Sequence, residues 1–151
     1  MGRKNGLRVE VSGLASLPSA ARRPVIFKEA VRRAFKGRLR RGEVAVVFVT
    51  RAAMLKMNRR FLGHDYDTDV ITFQHESPPG VAPAERPIGD IFISAWMVRR
   101  QAAECGHSAL REAATLAAHG ALHLLGHEDA TRRGKARMFD IQDRIVAALR
   151  A

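Results

Sequence analysis

Residues 108–125 read SALREAATLAAHGALHLL, and this stretch decides the fold. Leu110, Ala113, Ala114, Ala117, Ala118, Ala121, Leu122 and Leu125 recur at intervals of three and four, so the helix they predict is apolar over more than half its circumference. Such a helix is buried at the centre of a fold. Downstream, a helix from about Thr131 carries the amphipathic stripe Met138, Ile141, Ile145, Val146 and Leu149. Upstream, Ser94 caps a helix running to about Cys105, which Gly106 breaks. Ile88 to Ile93, Asp69 to Phe73, Glu43 to Val49 and Leu7 to Val11 read as strands. Thr50 caps a short helix to about Phe61. Pro24 opens another, with Val25, Ile26, Ala30, Val31, Ala34 and Phe35 on one face. The expectation is a single α+β domain over residues 1–151, with a mixed four-stranded sheet, about five helices and the apolar helix at its centre.

That central helix carries His119 and His123, four residues apart and therefore on one face. Two imidazoles so placed can reach one metal ion. Gly126 follows by three, where a residue able to take positive φ can end the helix and return the chain across the histidines. The return offers His127, Glu128 or Asp129 as a third ligand. The spacing H-x3-H-x5-[H/D] with a glycine turn is the ligand geometry of the metzincin zinc proteases, so the helix reads as a zincin-like metal helix. Two histidines and a carboxylate leave a position open for water, the pattern of catalytic sites. Zinc proteases, however, place a glutamate after the first histidine, and here Gly120 stands there. Peptidase chemistry is disfavoured. Metal-assisted cleavage of a phosphodiester fits better.

Charge supports that reading. The chain of 151 residues carries 26 Lys or Arg against 15 Asp or Glu, a net +11. Residues 1–60 hold 16 of the basic residues and only Glu10, Glu29 and Glu43, so the excess is N-terminal. Arginine pairs such as Arg22-Arg23, Arg32-Arg33 and Arg59-Arg60 suit bidentate contact with phosphate. A nucleic-acid partner follows. The one cysteine, Cys105, forms no internal bridge and reads as a small buried apolar residue. No run of about 18 apolar residues and no signal segment occurs, so the expectation is a cytoplasmic protein with no membrane span.

Three strings of this chain resemble one family. They are Met57-Asn58-Arg59-Arg60-Phe61-Leu62-Gly63-His64-Asp65, continuing into Thr68-Asp69-Val70-Ile71-Thr72-Phe73; then Ile88-Gly89-Asp90-Ile91-Phe92-Ile93-Ser94; then His119 to Asp129. The family is the YbeY endoribonucleases. The resemblance implies a single-strand-specific endoribonuclease that binds one Zn2+ per chain. It also implies maturation of the 16S rRNA 3′ end and ribosome quality control, with ribosomal RNA and the small subunit as partners. It leaves ribosomal-protein or GTPase partners open.

Carried over residue by residue, the resemblance makes His119 and His123 metal ligands, acting in catalysis through the metal, and places the third ligand at Asp129. Many members have histidine there and some have aspartate. His127 competes for the role, with spacing favouring Asp129. A carboxylate ligand raises the pKa of a metal-bound water slightly compared with a third imidazole. In many relatives an arginine precedes the glycine of the first string, and here that residue is Leu62. Arg59 and Arg60, two and three residues earlier, are the candidate RNA contacts. That departure keeps a rival open, a non-catalytic, zinc-containing RNA-binding factor in ribosome assembly.

Among the other candidates, His64, His75 and His107 lie in or beside loops, lack partners at ligand spacing, and read as surface residues. Asp69 and Asp90 read as strand-end caps or as partners of a histidine. Phe73 and Phe92 read as core. With one Trp and one Tyr, Trp96 and Tyr66, a wide base-stacking platform is not expected.

Overall fold

The computed structural model describes residues 6–38, 41–76, 79–82 and 85–149. Its elements follow in the order β1 (Leu7–Ser12), α1 (Pro24–Phe35), β2 (Gly42–Val49), α2 (Arg51–Leu62), β3 (Val70–Gln74), β4 (Pro87–Ser94), α3 (Ala95–Cys105), α4 (Ala109–Leu124) and α5 (Arg132–Ala148), with 3-10 turns at Leu14–Ser16 and Ser19–Ala21. One sheet runs in the order β1-β2-β4-β3. β1 pairs β2 in parallel, β2 pairs β4 in parallel, and β3 closes the edge antiparallel to β4. The parallel pairs require crossovers, which α1 and the segment from α2 to β3 supply. This is the expected α+β arrangement with a mixed four-stranded sheet and five helices.

Four helices start where a hydroxyl can cap them. Thr50, Ser94, Ser108 and Thr131 accept the amide protons of Ala53, Met97, Arg111 and Gly134 at 3.0–3.2 Å. Each cap removes one unpaired donor and contributes about 0.5–2 kcal/mol. α1 starts instead on Pro24 at its first position.

Period-two alternation in β2 and β4 gives one sheet face to the core. Val44, Val46 and Phe48 lie there with Gly89, Ile91 and Ile93, paired residue by residue. α4 packs on this face against β3 and β4, with α1, α3 and α5 around it. Its burial follows from its sequence, since ten of its sixteen residues are buried. Phe27 of α1 meets Phe48 at 4.9 Å between ring centroids, adding about 0.5–1.5 kcal/mol to the area term. Gly120 fixes how near α4 comes to the sheet, because a Cβ there would stand 2.4 Å from Cγ2 of Ile91.

Several sequence expectations fail here for identifiable reasons. Cys105 is exposed rather than buried, because it ends α3 on the solvent side of the turn at Gly106. Val25 is 71% exposed, while Phe27, two residues on, takes the core position. Phe73 and Phe92 are only half-buried. They lie on the reverse face of the sheet, in an edge-to-face ladder with the exposed Phe61 of α2. Among the described residues, no helix is long and apolar enough to cross a membrane.

Candidate metal centre

His119 and His123 lie one turn apart near the C-terminal end of α4, side chains 16% and 29% exposed. Past His123 the helix closes in a turn where Gly126 adopts φ 94°. The amide of Gly126 donates to the carbonyl of His123 and that of His127 to the carbonyl of Leu122. Positive φ at this position costs a glycine almost nothing and turns the chain back. The return brings Asp129 to the histidines, its Oδ2 lying 4.0 Å from Nε2 of His119 and 3.7 Å from Nε2 of His123. The two Nε2 atoms are 3.1 Å apart.

These distances test whether a metal fits. A triangle of such sides has its corners about 2.1 Å from a common centre, which is the bond length of zinc-class ions to imidazole nitrogen and carboxylate oxygen. The donor set fits. Asp129 belongs to the group and His127 does not. His127 is held below its ordinary pKa by burial, then by the charges of Arg38 and Arg137.

The proton inventory agrees with ligand chemistry. Nδ1 of His119 lies 2.7 Å from Oε1 of Gln142, a residue of α5 that is 4% exposed. Nδ1–H therefore donates to the amide oxygen, and in the neutral ring this tautomer carries its lone pair on Nε2. Burial, followed by the neighbouring His119, holds His123 below the ordinary imidazole value, against a smaller upward pull from Asp129. A neutral imidazole is the form that binds metal.

Opposite the histidines, Leu62, Thr68, Asp69, Val70 and Thr72 complete a cleft of about 370 Å³. Asp69 is occupied locally, accepting from the amide of Val70 at 2.8 Å and from Nε2 of Gln101 at 3.3 Å. The loop before it is clamped. Asn58, 1% exposed, donates to the carbonyl of Tyr66 at 2.8 Å, and Arg51 holds Asp67 bidentately while stacking 3.7 Å over Trp96.

Arg59 and Arg60 are exposed in the last turn of α2, outside the cleft lining. Arg59 pairs with Asp65, and the Arg60 guanidinium lies 5.5 Å over Phe61. His64 is exposed and lies beside Tyr66, with ring centroids 5.0 Å apart. The other two histidines without partners at ligand spacing each meet a carboxylate. His75 meets Asp90 at 2.8 Å across the β3–β4 pair, and His107 meets the buried Glu112 at 2.6 Å. Sequence reasoning missed Gln142. Its signal was a polar residue four past Met138 and three before Ile145, inside the apolar stripe of α5.

Comparison with known proteins finds one family. The family described as Endoribonuclease YbeY matches residues 20–150. A protein of Elusimicrobium minutum named endoribonuclease YbeY is 39% identical over 131 residues, covering 86% of this chain and 91% of its own. One of that name from Xanthomonas oryzae pv. oryzae is 34% identical over 149 residues, covering 97% and 92%. The solution structure of TM1509 from Thermotoga maritima shares the fold, with a TM-score of 0.60 at 23% identity over 93% of this chain and 86% of that one.

Proposed function

Since this chain belongs to the YbeY endoribonuclease family and is thus a nuclease that hydrolyses RNA phosphodiester bonds, we propose that its reaction is zinc-dependent and centred on His119, His123 and Asp129. The observation that carries this reading is the closure of three donor atoms around one point at metal-bond distance. A zinc ion held there would supply Lewis-acid polarisation of a phosphate and a lowered pKa for water. The remaining work falls to the chain. Gln142 fixes the His119 tautomer so that Nε2 faces the cleft. The hydroxyls of Thr68 and Thr72 offer hydrogen bonds to a phosphate along the opposite wall, and Leu62 gives that wall an apolar rim. Arg59, Arg60 and the other N-terminal arginines hold the RNA backbone outside the cleft.

The proposed substrate is single-stranded RNA at the 3′ end of precursor 16S rRNA, met on the small ribosomal subunit in the cytoplasm, with a role in ribosome quality control. Residues 1–151 act as one domain in this reading. Support comes from the family resemblance, the basic N-terminal half and the one cleft wall shared by α4 and β3.

The test is to incubate immature small subunits with the protein as purified, with chelator, and with zinc restored, and to map the RNA 3′ ends. Shortening that chelator abolishes and zinc restores supports the proposal. Tight binding to the subunits with unchanged ends under every condition would instead favour a non-catalytic assembly factor, the reading that Leu62 at the arginine position keeps open.

A further inference from the structure

A second cluster of metal-ligating side chains lies at the opposite end of α4. α3 ends on Cys105, Gly106 turns the chain at φ 71°, and His107 closes the turn by donating its amide to the carbonyl of Ala102. Ser108 then caps α4, and Glu112 sits at the end of its first turn. This local geometry places the sulfur of Cys105, an imidazole nitrogen of His107 and a carboxylate oxygen of Glu112 all within 4.8 Å of one another.

We propose that Cys105, His107 and Glu112 form a second divalent-metal site, for a borderline-soft ion of the zinc and cobalt class. Thiolate, imidazole and carboxylate together are the donor set such ions select, whereas magnesium and calcium take oxygen alone. The carboxylate is anchored, because Glu112 is 6% exposed and its side-chain partner among the described residues is His107 at 2.6 Å. An ion has a way in, since Cys105 is exposed and a cavity of about 600 Å³ between α4 and α5 opens beside His107, Arg111 and Asp143. The His107–Glu112 hydrogen bond is the metal-free form of the site. On binding, the thiol proton leaves to solvent, and the His107 ring, in its neutral form, offers a nitrogen lone pair to the ion in place of its hydrogen bond to Glu112. The thiolate and carboxylate together balance a dication. The bound ion ties the end of α3 to the start of the helix that carries His119 and His123.

This site stands apart from the proposed reaction centre, and its test is independent of RNA cleavage. Cys105 is the only cysteine of the chain, so any thiolate-to-cobalt charge-transfer band on titration with Co2+ reports this residue alone. The wild-type chain is expected to bind two equivalents and to show the band. Cys105→Ser should bind one, lose the band and keep RNA cleavage. His119→Ala/His123→Ala should bind one and keep the band, whether or not cleavage survives. If that double variant fails to fold, the difference between wild type and Cys105→Ser carries the same information. Absence of the band in the wild type, or equal stoichiometry in wild type and Cys105→Ser, overturns the proposal. So does a band that saturates at half an equivalent, which would mean two chains sharing one ion through their thiolates.

Discussion

Oε1 of Gln142 accepts a hydrogen bond from Nδ1 of His119 at 2.7 Å, so a residue of α5 sets which nitrogen of a histidine on α4 faces the cleft. The partner is buried and comes from 23 residues away, which makes the orientation of His119 a product of tertiary packing.

Gln142→Leu should therefore weaken metal binding by about 10–100-fold with the fold retained, while Gln142→Glu, which keeps an acceptor, should restore much of the loss. Competition against a chromophoric chelator measures both. Unchanged affinity in Gln142→Leu would remove the positioning role.

Gly120 lies where α4 crosses β4. Its substitution by alanine gains about 1 kcal/mol of helix propensity, but the new methyl would stand 2.4 Å from Cγ2 of Ile91 and 3.3 Å from Cγ1 of Val70. The steric cost, about 1–3 kcal/mol for an overpacked core, should win. Gly120→Ala is expected to melt lower than wild type, and Ile91→Ala in its background should cost less than Ile91→Ala alone. Denaturant titration of the four proteins closes the cycle, and strict additivity would contradict the contact. The same crowding leaves no room for the glutamate of a protease, so Gly120→Glu should unfold the chain rather than confer peptidase activity.

Much of the fold and half of the site are legible in the amino-acid sequence. The apolar run of residues 108–125 announces a central helix, and His119, His123 and the turn at Gly126 announce the face on which chemistry gathers. These short-range signals succeed because caps, periodicity and positive φ are decided within a few residues. The role of Gln142 is illegible because a polar residue in an apolar stripe declares its partner only after two helices pack. The same holds for His75 with Asp90 and for Asn58 with the carbonyl of Tyr66. Cys105 misleads because buried cysteines are common, whereas its exposure follows from the solvent-facing end of one helix.

Acid should destabilise the metal-free protein through His123. Its native pKa is lowered, by burial first and by His119 second, so the unfolded chain binds more protons below the unfolded value of about 6.5. Stability from this group is complete above that pH and is lost as pH falls through the folded value. His127 acts in the same direction. In chelator, the melting temperature should fall between about pH 7.5 and pH 5. His123→Asn should reduce that fall, and an equal fall in both proteins would contradict the assignment.

Arg60→Ala should weaken RNA binding to a similar degree across sequences and reduce the slope of log affinity against log salt by about one. Arg59, already paired with Asp65, should give a smaller change on the same substitution. Filter binding over a salt series measures both, and unchanged slopes would place the RNA path elsewhere.

The most direct test is cleavage of a single-stranded RNA by the wild-type protein and by His123→Ala, prepared identically, with zinc added and RNA binding measured at matched salt. Cleavage by the first and none by the second, with binding retained in both, is the expected result. Equal cleavage by the two proteins, or binding without cleavage in the wild type, would contradict a hydrolytic centre built on the α4 histidines.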